Sequence, residues 1–285
     1  MSKTIEIRNG RLFKKKLSFP ELTGGDNSIL FGVMDEHYRN TVNVTGDDGP
    51  VVLFHVDHIG RGVQIVARNK HLVQLRLPAP STSYDIALFC DMVARVAKVW
   101  GASSFYDVDS GDEIPLAGLD HFKEELAAEQ KTALLSLAST GNDPLILPCG
   151  FLPISFHPGE LRRFAADMDS FAMFLHSRQE MAPYYSIGLL ASDPSGRPVG
   201  KYVVLDDSYC VIPIEPDVKV ESGGKMRAVE NYRVTYCPET DGGKAWEMPY
   251  QSFVDAVPAE YKQSFDATHL LLLPMPPEML ASVFQ

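Results

Sequence analysis

Only one stretch of the chain gathers two of its histidines around a carboxylate: Phe54-His55-Val56-Asp57-His58-Ile59-Gly60. Imidazole nitrogens and carboxylate oxygens are ordinary zinc donors, and a zinc ion with one open position lowers the pKa of bound water enough to make a hydroxide nucleophile. His55, Asp57 and His58 are therefore the candidate metal ligands, and His121, His157, His176 and Asp143 are later residues that could complete a set. The backbone raises an obstacle. In an extended strand, side chains three residues apart leave on opposite faces, so His55 and His58 should diverge.

The stretch resembles the end of the His-x-His-x-Asp-His-x-Gly signature of the metallo-β-lactamase-like hydrolases, in which these residues hold one or two zinc ions in a loop after a strand. Leu53 stands where the first histidine of that pattern would be, which removes a ligand. Ile59-Gly60-Arg61 also resembles the first strand of phosphothreonine-binding forkhead-associated domains, where an arginine grips phosphate. The serine and histidine that come later in that family's pattern are absent here, and Gly60-Arg61-Gly62 reads more economically as a flexible corner between strands. There is no Gly-x-Ser-x-Gly, no phosphate-binding Gly-x-x-x-x-Gly-Lys and no dinucleotide fingerprint. Gly223-Gly224-Lys225 and Gly242-Gly243-Lys244 read as turns, and the acid pairs Asp47-Asp48, Glu124-Glu125 and Asp206-Asp207 as solvated surface. No catalytic residue and no cofactor is assigned.

Charge narrows the partners. The 37 acidic residues outnumber the 26 basic ones for a net charge of −11, which repels a phosphate backbone, and Lys14-Lys15-Lys16 is the only tight basic run. Cys90, Cys149, Cys210 and Cys237 show no Cys-x-x-Cys and read as reduced thiols. Met1 to Arg11 has no apolar signal region, and no stretch reaches the roughly 20 apolar residues of a membrane span. The expectation is a cytoplasmic protein with neither a nucleic-acid nor a membrane partner.

The elements that must position these residues read as α+β. Asn9-Gly10 predicts a hairpin between Thr4–Arg8 and Leu12–Phe19, and Thr41–Thr45 and Val51–Val56 read as strands. A second hairpin comes next, with Val63, Ile65 and Ala67 facing Val73, Leu75 and Leu77. Ser83 is the expected cap of a helix from Tyr84 to Trp100, buried along Ile86, Phe89, Val93, Val96 and Trp100 and closed by Gly101. Strands flank Asp109–Asp112, Asp120–Ser139 is a helix, and the Thr140–Pro144 break is the expected domain boundary. Beyond it Phe151–Phe156 predicts a strand, Leu161, Phe164, Met168, Phe171 and Leu175 mark one helix face, and Tyr184–Ala191 and Val199–Leu205 form a hairpin across Asp193–Gly196. A further hairpin across Thr240–Gly243, a helix at Gln251–Val257, a strand at Thr268–Leu273 and a helix from Pro277 complete the reading. It gives two domains, 1–140 and 145–285, of mostly antiparallel sheet with helices on one side and a strand–helix–hairpin unit used twice.

Four short stretches, Ile5-Glu6-Ile7-Arg8-Asn9 with Leu12-Phe13-Lys14-Lys15, Gly60-Arg61-Gly62, Leu75-Arg76-Leu77-Pro78-Ala79-Pro80-Ser81 and Asp85-Ile86, resemble an uncharacterised bacterial family of about this length. The resemblance implies a bacterial cytoplasmic protein and transfers no catalytic residue. With no catalytic signature complete and with Tyr184, Tyr185, Tyr202, Tyr209, Tyr232 and Tyr236 on strands of the second half, the expected role is binding another protein, immunity-like or accessory, whose basic surface the acidic chain attracts. A metal-dependent hydrolase using His55, Asp57 and His58 is the alternative.

Overall fold

The computed structural model describes residues 2–34, 40–42, 51–222, 224–238 and 245–285. They divide into two compact units, Met1–Glu180 and Met181–Gln285. Both mix helices with sheets, so the fold is α+β as the sequence predicts.

The first unit is built on an eight-stranded sheet. Its strands are β1 (Ser2–Arg8), β2 (Ile29–Met34), β3 (Asn40–Val42), β4 (Val51–His55), β5 (Val63–Arg68), β6 (Leu72–Pro78), β7 (Ser104–Asp107) and β8 (Glu113–Pro115). They lie in the order β3-β2-β4-β5-β6-β1-β7-β8 and every neighbouring pair is antiparallel. Alternation supplies one buried face: Ile5, Ile7, Val63, Ile65, Val73, Leu75 and Leu77 meet Ile86, Phe89, Val93, Val96 and Trp100 of the helix Ser83–Trp100. The cap of α2 (Ser83–Trp100) is Thr82, one residue earlier than expected, and left-handed Gly101 closes it. β4 is buried on both faces, with Val51 and Leu53 in that core and Val52 and Phe54 packed with Ile59, which explains its unbroken apolar run.

Two expectations fail near the start. Residues 12–18 are not a strand; β1 pairs with β6 and β7 instead, and a five-residue helix α1 (Phe19–Thr23), capped by Ser18, comes before β2. Asn9 is buried and commits its side chain to the Lys70 carbonyl (2.9 Å) and the Arg11 amide (3.0 Å) rather than making a hairpin turn. Residues 43–48 and Thr240–Gly243 lie outside the described residues.

The division after Glu180 also differs from the boundary expected at 140–145. Helix α3 (Leu119–Leu137) shares a core with the elements on its C-terminal side: Leu134 and Ala138 pack with Leu147, Ile154, Phe156, Leu161, Phe164, Phe171 and Leu175. Strands β9 (Leu145–Leu147) and β10 (Ile154–Phe156) and helices α4 (Pro158–Ala166) and α5 (Met168–Gln179) thus belong to the first unit. The predicted helix face is buried as its spacing requires, but Asp167, extended at φ −141°, ends α4 and caps α5 through the Ser170 amide. The order strand, helix, hairpin occurs twice, but the hairpin of the second occurrence, Leu189–Ser192 with Pro198–Val204, lies beyond the division and belongs to the second unit.

The second unit holds β11 (Tyr184–Tyr185), β12 (Leu189–Ser192), β13 (Pro198–Val204), β14 (Cys210–Pro213), β15 (Lys219–Ser222), β16 (Lys225–Ala228), β17 (Asn231–Tyr236), β18 (Trp246–Pro249), α6 (Tyr250–Ala256), β19 (Lys262–Ser264), β20 (His269–Leu272) and α7 (Pro277–Val283). Two four-stranded sheets, β11-β14-β20-β19 and β12-β13-β17-β18, each contain one parallel pair, β11 with β14 and β13 with β17. Tyr202, Tyr236, Tyr250, Phe253, Leu272, Leu280 and Val283 fill the core.

Candidate functional site

The corner between β4 and β5 is held from below by buried polar groups. Asp85, in the first turn of α2, accepts the Arg61 amide (3.0 Å), the Gly62 amide (2.8 Å), the Thr82 amide (2.9 Å) and the Thr82 hydroxyl (2.9 Å), while its own amide donates to Thr82 Oγ1. A carboxylate can come this close only to glycine: a Cβ on Gly60 would stand 2.3 Å from Asp85 Oδ2. Gly62 is needed for its φ of +74°, and a Cβ there would press on the Leu53 carbonyl. Arg61 is 6% exposed, and its guanidinium donates to the Pro148 carbonyl (2.8 Å) and the Pro80 carbonyl (3.1 Å). Burial pulls its pKa down from the ordinary value, opposed by the Asp85 charge, and the group stays a cation. From α5, Gln179 donates to the Ile59 and Gly60 carbonyls and accepts the Phe151 and Leu152 amides.

Above this floor lies a cleft of about 280 Å³ lined by Asp57, His58, Ile59, Gly60, Thr82 and Tyr84 with Ala172, Met173 and His176 of α5. His58 lies flat on Tyr84, ring centroids 3.7 Å apart at 9°. Tyr84 is 46% and Met173 64% exposed, so the mouth is aromatic and apolar while the floor is backbone. His176 accepts the Ile59 amide at Nδ1 (3.2 Å), which puts its proton on Nε2, 3.3 Å from the Glu180 carboxylate. Asp57 is the acidic residue of the lining, and Glu180 stands behind it as the partner of His176; both are well exposed.

The predicted ligand stretch is not extended. Val56–His58 is a single 3₁₀ turn, and it brings the His55 and His58 rings to 5.9 Å instead of sending them to opposite faces. Their roles still differ. His55 accepts the Asp57 amide at Nδ1 (3.3 Å), leaving the Nε2 proton to donate to Ser28 Oγ (2.7 Å), whose hydroxyl bonds Asp26 (2.5 Å). Neither ring nitrogen of His55 keeps a lone pair for a metal. His176 joins His58 at 6.1 Å, whereas His121 is exposed beside Glu124 and Glu125 on α3 and His157 caps α4. Among the described residues no group of three or more histidines, cysteines or acids is arranged to hold a metal ion.

Residues 2–283 match the family described as Domain of unknown function (DUF4299). The chain belongs to that family. No curated protein and no solved structure matches it. Three of the stretches that carried the family resemblance, Gly60-Arg61-Gly62, Leu75–Ser81 and Asp85-Ile86, converge on the buried corner. There Ser81 also donates its amide to Gln130 of α3 (2.8 Å).

Arg61 therefore does not face a phosphate as the forkhead-associated pattern would have it; its cation is consumed by carbonyls. The cysteines carry no disulfide, and burial pushes the Cys90 and Cys210 thiols up to about 11, which leaves them protonated at neutral pH. Of the tyrosines read as strand residues, Tyr202 and Tyr236 are core residues, while exposed Tyr184 of β11 is joined through its backbone (2.8 Å) to exposed Tyr209, which lies just before β14 and not on a strand. Two arrangements are missed by reading the sequence. Tyr84 reads there as no more than the start of a helix, though its place two residues after a Thr cap puts it at the cleft mouth. In the second unit, buried Asp266 meets His269 Nδ1 (2.9 Å) and His269 Nε2 meets the Tyr185 hydroxyl (2.7 Å), tying β11 to β20 across β14. The local signal is Asp266-Ala267-Thr268-His269, whose aspartate bonds the Thr268 amide two residues on.

Proposed function

We propose that this is a bacterial, cytoplasmic protein that works by binding another protein, and that the cleft beside His58 receives a basic side chain of that partner. The observation that carries the reading is the contrast between mouth and floor: exposed Tyr84 and Met173 stand over a backbone corner whose buried polar groups are bonded to one another. Rigid aromatic and methionine side chains at a small pocket are the composition of interface hot spots, and a fixed floor lowers the entropy cost of docking. Asp57 in the lining, Glu180 beside His176 and the net charge of −11 favour a cationic partner and speed its approach. An immunity-like or accessory role fits this chemistry. The alternative, a metal-dependent hydrolase on His55, Asp57 and His58, lacks support from the geometry because the nitrogens of His55 are already committed.

The test is capture from the native cell with the full chain as bait. A basic protein retained at low salt, released as salt rises and lost with Tyr84→Ala supports the reading; equal retention by the Tyr84→Ala bait overturns the assignment to this cleft. Truncating one such anchor should weaken binding about 30-fold or more, the effect of a hot-spot residue.

A further inference from the structure

The first unit carries an apolar knob at one end of β1 and an apolar cleft at the other. The knob is the loop between buried Asn9 and buried Leu17, where Leu12 and Phe13 are each 90% exposed. Its ends are fixed: at one, Asn9 bonds the Lys70 carbonyl and Arg11 the Val99 carbonyl (3.1 Å), and at the other Arg68 donates to the Leu17 carbonyl (2.8 Å). Arg11, Lys14, Lys15 and Lys16 flank the apolar pair, and Lys70 and Lys98 border the segment that anchors it. Glu21 pairs with Lys15 at 2.6 Å.

The cleft, of about 770 Å³, is lined by Leu77, Ala79, Ala128 and Ala133 with Ser2, Lys3, Asp109, Glu129, Gln130 and Thr132. Lys3 is neutralised by Asp107 at 2.9 Å, leaving Asp109 and Glu129 as the charges of the rim. An adjoining cleft adds Asp112 and Glu125, so this end is acidic. In the register of β1 on β6, Ser2 pairs with Pro78 and Arg8 with Leu72. The cleft belongs to the first end and the knob to the second, roughly 20 Å away at the usual strand rise of about 3.3 Å per residue. The knob cannot fold back into its own cleft.

We infer that this chain associates head to tail with further copies of itself, the Leu12–Phe13 knob of one copy entering the Leu77–Ala133 cleft of the next. Apolar side chains enter an apolar cleft, and the lysines around the knob meet Asp109 and Glu129 around the cleft. Because the two surfaces differ, the contact is heterologous: each copy keeps a free knob and a free cleft, and the assembly grows until a ring closes or continues as a filament.

Complementary variants of the full chain test this by sedimentation velocity. The wild type should show an average mass that rises with protein concentration beyond a dimer and falls with added salt. Leu12→Ser/Phe13→Ser disables the knob, and Ala128→Arg/Glu129→Lys disables the cleft; each alone should weaken association by about tenfold or more, as loss of a central anchor does. Mixed together, they retain one good cleft and one good knob and should form a one-to-one dimer that grows no further. Circular dichroism of each variant confirms the fold, since the changed side chains lie on the surface. A wild type that stays monomeric at every concentration overturns the inference, as does a mixture that stays monomeric or a symmetric dimer insensitive to both variants. Binding of the knob to anionic vesicles by a monomeric wild type would also overturn it, and would assign the loop to a lipid surface.

Discussion

Two interruptions of the same sheet, the corner at Gly60–Gly62 and the loop from Asn9 to Leu17, treat similar residues in opposite ways. The corner turns an arginine inward and commits its donors to the Pro80 and Pro148 carbonyls, with Asp85 gathering the neighbouring amides. The loop keeps Arg11 and Lys15 at the surface, where Arg11 bonds the Val99 and Lys98 carbonyls and Lys15 pairs with Glu21, around two apolar side chains that are 90% exposed. The chemistry of the residue type does not decide this. Both sets find carbonyl or carboxylate partners; what differs is that those of the corner are buried, where a charge without them would cost more than the fold can offset. The corner is consequently a scaffold for the cleft above it, and the loop is a surface available to something else.

If that contrast is right, breaking the corner should be the costliest surface-remote change. Asp85→Ala leaves the Arg61, Gly62 and Thr82 amides without their acceptor and removes a negative charge that acts on Arg61. It should destabilise the chain by about 3–5 kcal/mol in urea unfolding. A loss below about 1 kcal/mol, the size of one ordinary hydrogen bond, would break the comparison.

A smaller effect belongs to the anchor of the loop. Bonds from Lys15 and from the Ser18 amide hold the Glu21 carboxyl down to about 2, against an ordinary 4.5. A depressed folded value stabilises the fold fully above 4.5 and ceases to do so as the pH falls through about 2. The carboxylate resonance of Glu21 should titrate in that low range, and Glu21→Gln should abolish this part of the acid sensitivity. Titration near 4.5 would mean that the loop is not anchored there.

The smallest effect should come from the tip. Phe13→Ser should change unfolding free energy by no more than about 0.5 kcal/mol in either direction, as befits a side chain with few contacts to lose. A cost of several times that would show that the tip packs against the fold.

Legibility in the sequence divides along the same line. The β5–β6 hairpin, the stripe on α2 and the face formed by Leu161, Phe164, Phe171 and Leu175 are readable because burial imposes a period on the chain. The two parallel pairs, β11 with β14 and β13 with β17, are not, since nothing local distinguishes a strand's partner direction. Asn9-Gly10 reads as a hairpin turn because both residues suit one; long-range bonds from the Asn9 side chain override the local preference. At the candidate site, His55 and His58 are visible as chemistry, but their fates are fixed by Ser28 and Tyr84, residues 27 and 26 positions away in sequence. Gln179 reaches the Ile59 carbonyl across 120 positions, and no motif announces such a contact.

The central claim is that the cleft beside His58 is where a partner docks, and a photo-crosslinker tests it most directly. Benzoylphenylalanine in place of Tyr84 projects a reactive ketone from the mouth, and the same residue in place of Leu135, exposed on α3, serves as the control. Irradiation in the native cell should join the Tyr84 position to one basic protein, with no such adduct from the Leu135 position. Absence of an adduct at Tyr84, or the same adducts from both positions, would contradict the account.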